Sequence, residues 1–190
     1  MQQPPTLTHE ESIEIIKSMI NTAKGNFKAS AFYFMLWGWI SVLACLSHFY
    51  LDAFTNYPHP YIVWLIGIPG WIVTMIYSSK KSKSARVKTY SDDLITWTWI
   101  GFGFSVLIII FAGASINFQI TPLVILLSGL CTFITGLIIR YKPLIIGGSS
   151  FWLFAPLAFY LPTLYTPLVM AVAIVCGYLI PAYMLKNNKD

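Results

Sequence analysis

The sequence predicts an all-α membrane protein, a bundle of six transmembrane helices that follows an N-terminal amphipathic helix. The first observation is a set of six apolar stretches, each close to the ~20 residues that a helix needs to cross the hydrocarbon core. The second is the composition, with 57% hydrophobic and 10% charged residues, which is far from that of a soluble domain. The stretches are Ala31–Leu51, Tyr61–Ser79, Leu94–Ala114, Ile120–Ile139, Pro143–Leu161 and Leu164–Met184.

The third observation is the placement of the basic residues. All 12 Lys and Arg lie before the first stretch, between the second and third, between the fourth and fifth, or after the sixth. Cationic loops resist translocation, so this alternation predicts that both termini lie in the cytoplasm. The net charge of +5 is then explained by basic residues that stay on the cytoplasmic side, where anionic headgroups attract them. We therefore expect no nucleic-acid partner.

The segment before the first stretch begins with helix signals. Thr8 and Glu11 form a capping box, and Gly25 or Asn26 is predicted to end the helix. One interpretation places this helix flat in the membrane interface, and the other lets it dock a partner or a second copy. Residues recurring at helical spacing give it an apolar side: Ile13, Ile16, Ile20 and Ala23.

The chain divides into three parts around this helix. Residues 1–28 comprise a disordered start, which contains two prolines, and the cytoplasmic amphipathic helix. Residues 29–185 form one transmembrane domain, and residues 186–190 form a cytoplasmic tail. Six spans occupy most of the 190 residues, so no second folded domain is expected.

Proline and small residues predict how the spans begin and pack. Each even-numbered span begins with a proline, as expected for the first helical turn, and the six spans resemble three hairpins of one type. Membrane constraints alone also produce such a likeness. Kinks are predicted at Pro69, Pro156 and Pro181. Close helix contacts are predicted at small residues four apart: Gly101 and Ser105; Ser128, Thr132 and Gly136; and Ala173 and Gly177.

The three cysteines predict packing rather than chemistry. Cys45, Cys131 and Cys176 all fall inside predicted spans, and their number is odd. They show neither the paired spacing of a disulfide framework nor that of a zinc site. We therefore expect small apolar packing residues and no metal or cofactor.

The middle of the spans contains no Asp, Glu, Lys or Arg. Ion-coupled carriers, pumps and voltage sensors usually need an ionisable group at that depth, despite its cost. The sequence therefore disfavours those classes. A facilitator for a neutral substrate, or a pocket for a hydrophobic ligand, stays open.

One polar cluster is predicted on the outer side, comprising His48, Asp52 and His59. His48 and Asp52 are four residues apart on one helix, and His59 follows in the loop. Two imidazoles and a carboxylate are able to hold a transition metal or relay a proton. The alternative is that the histidines reach headgroups and Asp52 is solvated, and this alternative is favoured.

Two further motifs lack the partners that catalysis needs. The glycine-serine run from Gly147 to Ser150 has Phe151 where intramembrane serine proteases need glycine. The pair Asp92 and Asp93 lacks the additional spaced aspartates of lipid-phosphate enzymes, and both carboxylates suit the positive end of the third helix. We therefore expect no enzymatic activity.

Five segments are distinctive in sequence: Ile15–Ile20, Phe34–Trp39, Arg86–Tyr90, Lys142–Gly148 and Gly177–Pro181. They resemble a family of small six-span integral membrane proteins of Bacteroidetes-type bacteria. The resemblance runs over nearly the whole chain and implies six spans in a bacterial membrane. No activity is assigned to that family, so the resemblance supplies no site residues.

The functional expectation is a non-enzymatic inner-membrane protein that acts through lipid or protein contacts, as a partner, regulator or sensor subunit. The alternative is a small transporter or channel for a neutral or hydrophobic substrate, lined near Pro69 and Pro181. A lipid-modifying enzyme at the outer cluster is a third, weaker option. The candidate contact surface is the basic connection after the second span: Lys80, Lys81, Lys83, Arg86 and Lys88.

Overall fold

The computed structural model describes residues 9–55, 57–84 and 90–187. For residues 9–30, 81–84 and 187 it describes the backbone alone. The described part is helical. Its helices are α1 (His9–Phe54), α2 (Gly67–Ser84), α3 (Tyr90–Phe111), α4 (Ile120–Ile138), α5 (Lys142–Tyr160), α6 (Thr166–Ile174) and α7 (Ile180–Asn187).

Six helical segments are long and apolar enough to cross a membrane, which confirms the predicted span count. The second span is a short 3₁₀ helix, Pro60–Ile66, continued by α2. The sixth is formed by α6, a π-helical turn at Val175–Leu179, and α7. The protein is therefore a multi-pass, all-α membrane bundle. We call the end where Lys80, Arg140, Lys142 and Lys186 lie the basic end.

The first helix is longer than the sequence predicted. It runs without interruption through 46 residues and is about 69 Å long at the rise of ~1.5 Å per residue. The predicted end at Gly25 or Asn26 is wrong. A glycine inside a helix costs only about 1 kcal/mol, which a continuous hydrogen-bond ladder on both sides tolerates. The Thr8 cap and the predicted disordered start lie outside the described residues.

Four spans form the centre of the bundle, and two lie at its edge. The central spans are those of α1, α4, α5 and α6–α7, which pack against one another. Of the sixth span 61% is buried, whereas the figures for the second and third spans are 6% and 0%. Among the described elements, α2 packs mainly on α1, and α3 mainly on α4.

Among the described residues, the closest approach of two helix backbones joins α4 to α5. A Cβ atom at Gly148 would lie 2.5 Å from the backbone nitrogen of Phe133, closer than real Cβ contacts come. A Cβ atom at Gly136 would lie 2.8 Å from the nitrogen of Ile145. Glycine at both positions lets the two backbones touch, which supplies dispersion contacts that lipid cannot better. The three predicted hairpins pair spans one and two, three and four, and five and six. The α4–α5 interface therefore joins the second predicted hairpin to the third.

The small-residue prediction is confirmed for two of its three sets. Ser128, Thr132 and Gly136 are buried on α4, and Ala173 and Gly177 are buried in the sixth span. A Cβ atom at Gly177 would overlap the buried ring of Phe151.

The set on α3 is wrong, because nothing lies within 4 Å of a Cβ atom placed at Gly101. Small residues four apart mark a helix face that another helix is able to approach closely. The spacing does not ensure that another helix packs there.

The prolines alter the helices in different ways. Pro69 lies near the middle of the second span, in the first turn of α2, and the span changes there from a 3₁₀ helix to an α-helix, so the predicted position of the interruption is confirmed. Pro181 follows the π-helical turn, which confirms an interruption of the sixth span. In each case the missing N–H and the bulk of the ring disturb the preceding turn. Pro156 lies inside an uninterrupted α5.

Two tryptophan indoles tie the peripheral helices to the centre. Trp37 Nε1 on α1 donates to Thr74 Oγ1 on α2 at 3.1 Å. Trp99 Nε1 on α3 donates to Thr135 Oγ1 on α4 at 3.2 Å. A buried indole N–H needs an acceptor, and lipid offers none, so these bonds specify where α2 and α3 attach.

The cysteines are placed as the sequence predicted. Cys45 and Cys131 are buried, Cys176 is half-buried, and all three are free thiols. Cys131 Sγ lies 4.0 Å from the carbonyl oxygen of Thr98 on α3. Their contribution is packing between helices.

We expect Gly148→Ala to lower the free energy of unfolding by about 1–3 kcal/mol, because the added methyl meets the Phe133 backbone and must push α5 from α4. Gly101→Ala is the matched control, since its methyl meets nothing and alanine favours the helix. Reversible unfolding in mixed detergent micelles measures both. Equal stability of the two variants would contradict the close α4–α5 contact.

Candidate functional site

The predicted outer cluster is not brought together as one site. His48 Nδ1 accepts a hydrogen bond from Trp64 Nε1 at 3.1 Å. His59 Nδ1 instead lies 2.7 Å from the hydroxyl of Tyr61. Each imidazole is thus held by its own aromatic neighbour, and Asp52 is exposed. In the part of the chain that the structure describes, no three His, Cys, Asp or Glu side chains could hold one metal ion.

The other two motifs have structural roles. Gly147 and Gly148 are buried where α5 meets its neighbours. Ser149 Oγ donates to the Ile145 carbonyl at 3.0 Å, and Ser150 Oγ to the Gly147 carbonyl at 2.6 Å. Hydroxyls bonded back to their own helix are not arranged as nucleophiles beside a base. Asp92 and Asp93 lie in the first turn of α3, where their charge favours the helix dipole.

The basic end contains a tight turn between α4 and α5. The N–H of Tyr141 donates to the Gly136 carbonyl at 2.9 Å, and that of Arg140 to the Leu137 carbonyl at 3.1 Å. This is the Schellman arrangement, in which the residue after the helix adopts the left-handed conformation. Arg140 takes that place with φ 54°. Glycine is the usual residue there, so arginine holds the position at a conformational cost.

A shallow, open pocket of about 760 Å³ lies beside this turn. The turn supplies one wall and the last helix of the chain supplies the other. The lining residues are Arg140, Tyr141, Lys142, Pro143, Ile180, Tyr183 and Met184.

The polar groups of the pocket are donors. Within the described residues, the lining contains a guanidinium, an ammonium and two phenols but neither Asp nor Glu. The Tyr141 phenol is protonated at neutral pH and able to donate, and burial raises its pKa further. Tyr183 Oη accepts from Trp39 Nε1 at 3.2 Å, which leaves its own hydrogen free to point elsewhere. The pocket is therefore suited to an anion.

The basic connection singled out in the sequence is described only in part. Lys80 is exposed near the end of α2. Lys81 and Lys83 continue that helix, with only their backbone described, and Arg86 and Lys88 lie outside the described residues. Their use in contacts with lipid or partner stays a prediction.

The pocket itself was not predicted from the sequence. In the sequence, Arg140 and Lys142 served only as basic residues that indicate the cytoplasmic side. The opposite wall of the pocket comes from residues about 40 positions later in the chain. The only local signal was the run of two cations with tyrosine between them and proline after.

No protein-family model, no curated protein and no solved structure matches this chain. The resemblance to six-span bacterial membrane proteins therefore stays a prediction. The functional argument rests on the bundle and on the geometry of its basic end.

We expect Arg140→Gly to raise the free energy of unfolding by about 1 kcal/mol, because glycine adopts the left-handed conformation without steric cost. Arg140→Val removes the same charge but places a β-branched residue at φ 54°, so it should lower stability. Unfolding of the three proteins in one detergent mixture tests this order. A glycine variant no more stable than the valine variant would contradict it.

Proposed function

We propose that the protein is a non-enzymatic component of a bacterial inner membrane that acts through contacts with a partner protein and with lipid. In this proposal the basic end faces the cytoplasm, because Lys and Arg accumulate on the side that is not translocated. Both termini then lie in the cytoplasm, and the connection from Lys80 to Lys88 faces anionic lipid or acidic protein.

The continuous first helix is the observation that carries this proposal. Of its 46 residues, 22 precede the span that begins at Ala31. We call His9–Ser30 the arm, and at a rise of ~1.5 Å per residue it is about 33 Å long. A helix continuous with a membrane span does not lie flat in the interface unless it bends at the boundary. The unbroken helix therefore supports an arm that projects from the membrane, and so favours docking over an interfacial position.

The sequence pattern of the arm agrees with docking. Ile13, Ile16, Ile20 and Ala23 share one side of a helix, while Ser18 and Asn21 fall on the other. An apolar stripe of this spacing is the usual element that an amphipathic helix presents to a protein groove or to another helix.

The transporter alternative has less support. A path near Pro69 and Pro181 would use Thr74 and Tyr178. Thr74 instead accepts the Trp37 indole, and Tyr178 is buried with its hydroxyl facing Ser128 and Thr132. Tyr183 lines the pocket described above, at the basic end rather than at the centre of the spans.

Reporter fusions test the orientation. We expect a fluorescent protein fused after Asp190 to fluoresce, because it stays in the cytoplasm. Alkaline phosphatase inserted at Asn117, in the connection between α3 and α4, should be active, because it is exported. The reverse pattern of the two reporters would contradict the proposed orientation.

Crosslinking in native membranes tests the arm. With a photoreactive residue at Ser12, we expect one or more discrete adducts, either with a partner or with a second copy. Ile16→Glu combined with Ile20→Glu should abolish them, because charge cannot enter an apolar groove without a large desolvation cost.

Ser18→Glu combined with Asn21→Glu is the matched control, since it adds the same two charges on the other side of the helix. That variant should retain the adducts. The proposal fails if wild type gives no adduct at all, or if the two double variants behave alike.

A further inference from the structure

The pocket at the basic end combines features that select one class of ligand. Arg140 and Lys142 flank Tyr141 on the turn between α4 and α5, and the opposite wall is Ile180, Tyr183 and Met184. We propose that this pocket binds an anionic glycerophospholipid, with the phosphate at Arg140 and Lys142 and the glycerol and upper acyl carbons against Ile180 and Met184.

The chemistry of the turn fits a phosphate group. A guanidinium presents a planar fork of donors that matches phosphate oxygens, and an ammonium adds a compact charge beside it. Lys142 is the first residue of α5, a helix of 19 residues whose positive dipole end points to the same place. The lining contains no carboxylate among the described residues, so no acidic side chain of the pocket competes for these cations.

The backbone conformation of Arg140 indicates that its side chain has a role at this position. The left-handed φ of 54° favours glycine, yet the residue is arginine. Strain of this kind is tolerated where a side chain serves a site. The Schellman bonds on both sides hold the backbone of the turn in place.

The depth of the pocket separates a lipid from a free anion. Lys186 marks the end of the sixth span, and Ile180 lies six residues earlier, about 9 Å deeper at ~1.5 Å per residue. With Lys186 placed at the headgroups, as the proposal requires, the pocket extends from that level into the hydrocarbon. Its deep part is apolar, and its phenol at Tyr183 sits at the interface level that tyrosine prefers. A phospholipid has the same arrangement, with its charged headgroup at the surface and its acyl chains deeper.

This inference deepens the proposed function, since it names the lipid class and the place where it binds. It rests on that proposal only for the leaflet, not for the binding itself. Loss of lipid binding would leave the arm contacts untouched, and loss of the arm contacts would leave the lipid site untouched.

Native mass spectrometry of the full chain, released from nanodiscs, tests the site. With equal amounts of phosphatidylglycerol and phosphatidylcholine, we expect wild type to retain phosphatidylglycerol preferentially. R140Q/K142Q should weaken its binding about 30-fold, as each basic residue near a membrane surface contributes about fivefold. K80Q/K81Q removes two charges from α2 at the same end and should change the binding little.

A second variant probes the apolar wall without changing charge. M184W fills the space beside Ile180 and should also reduce phosphatidylglycerol retention, with normal thermal unfolding as the folding control. Equal retention of the two lipids by wild type would overturn the proposal, as would equal losses in the two charge variants. Displacement of the lipid by inorganic phosphate alone would assign the site to a free anion and overturn the lipid class.

Discussion

Backbone contact between α4 and α5 is the constraint on which the rest of the bundle depends. Lipid solvates an apolar side chain as well as a neighbouring helix does, so helices associate where they gain contacts that lipid cannot make. Gly136 and Gly148 allow such contacts on the two helices. The same hairpin presents Phe151 to Gly177, and thereby sets the sixth span against α5. The sixth span packs on α5, and α1 packs in turn on the sixth span.

Hydrogen bonds decide what packing alone leaves open at the edge of the bundle. The spans of α2 and α3 are almost unburied, so apolar contacts specify their positions weakly. The Trp37–Thr74 and Trp99–Thr135 bonds each give one orientation of the peripheral helix an advantage. Such bonds contribute about 0.6 kcal/mol on average in membrane proteins. Their contribution is therefore to orientation and less to total stability.

The basic end shows how the same packing creates a site. The short turn that lets α4 and α5 stay in contact forces its middle residue into a left-handed conformation. The turn also places Arg140 and Lys142 next to α7, which follows the π-helical turn at Val175–Leu179. The pocket lies between the cations of the α4–α5 turn and the apolar side chains of α7.

The sequence by itself determined the class of fold, the six spans and the prolines at the start of the even spans, because these depend on local hydropathy and on backbone chemistry within one helix. It also indicated the small residues of α4 and the sixth span. It did not distinguish them from Gly101 on α3, since every face of a membrane helix is apolar whether it meets lipid or protein. Tertiary structure alone decided the central four spans, the bond from Trp64 to His48, and the pocket, because each depends on contacts between residues that are not neighbours in the chain.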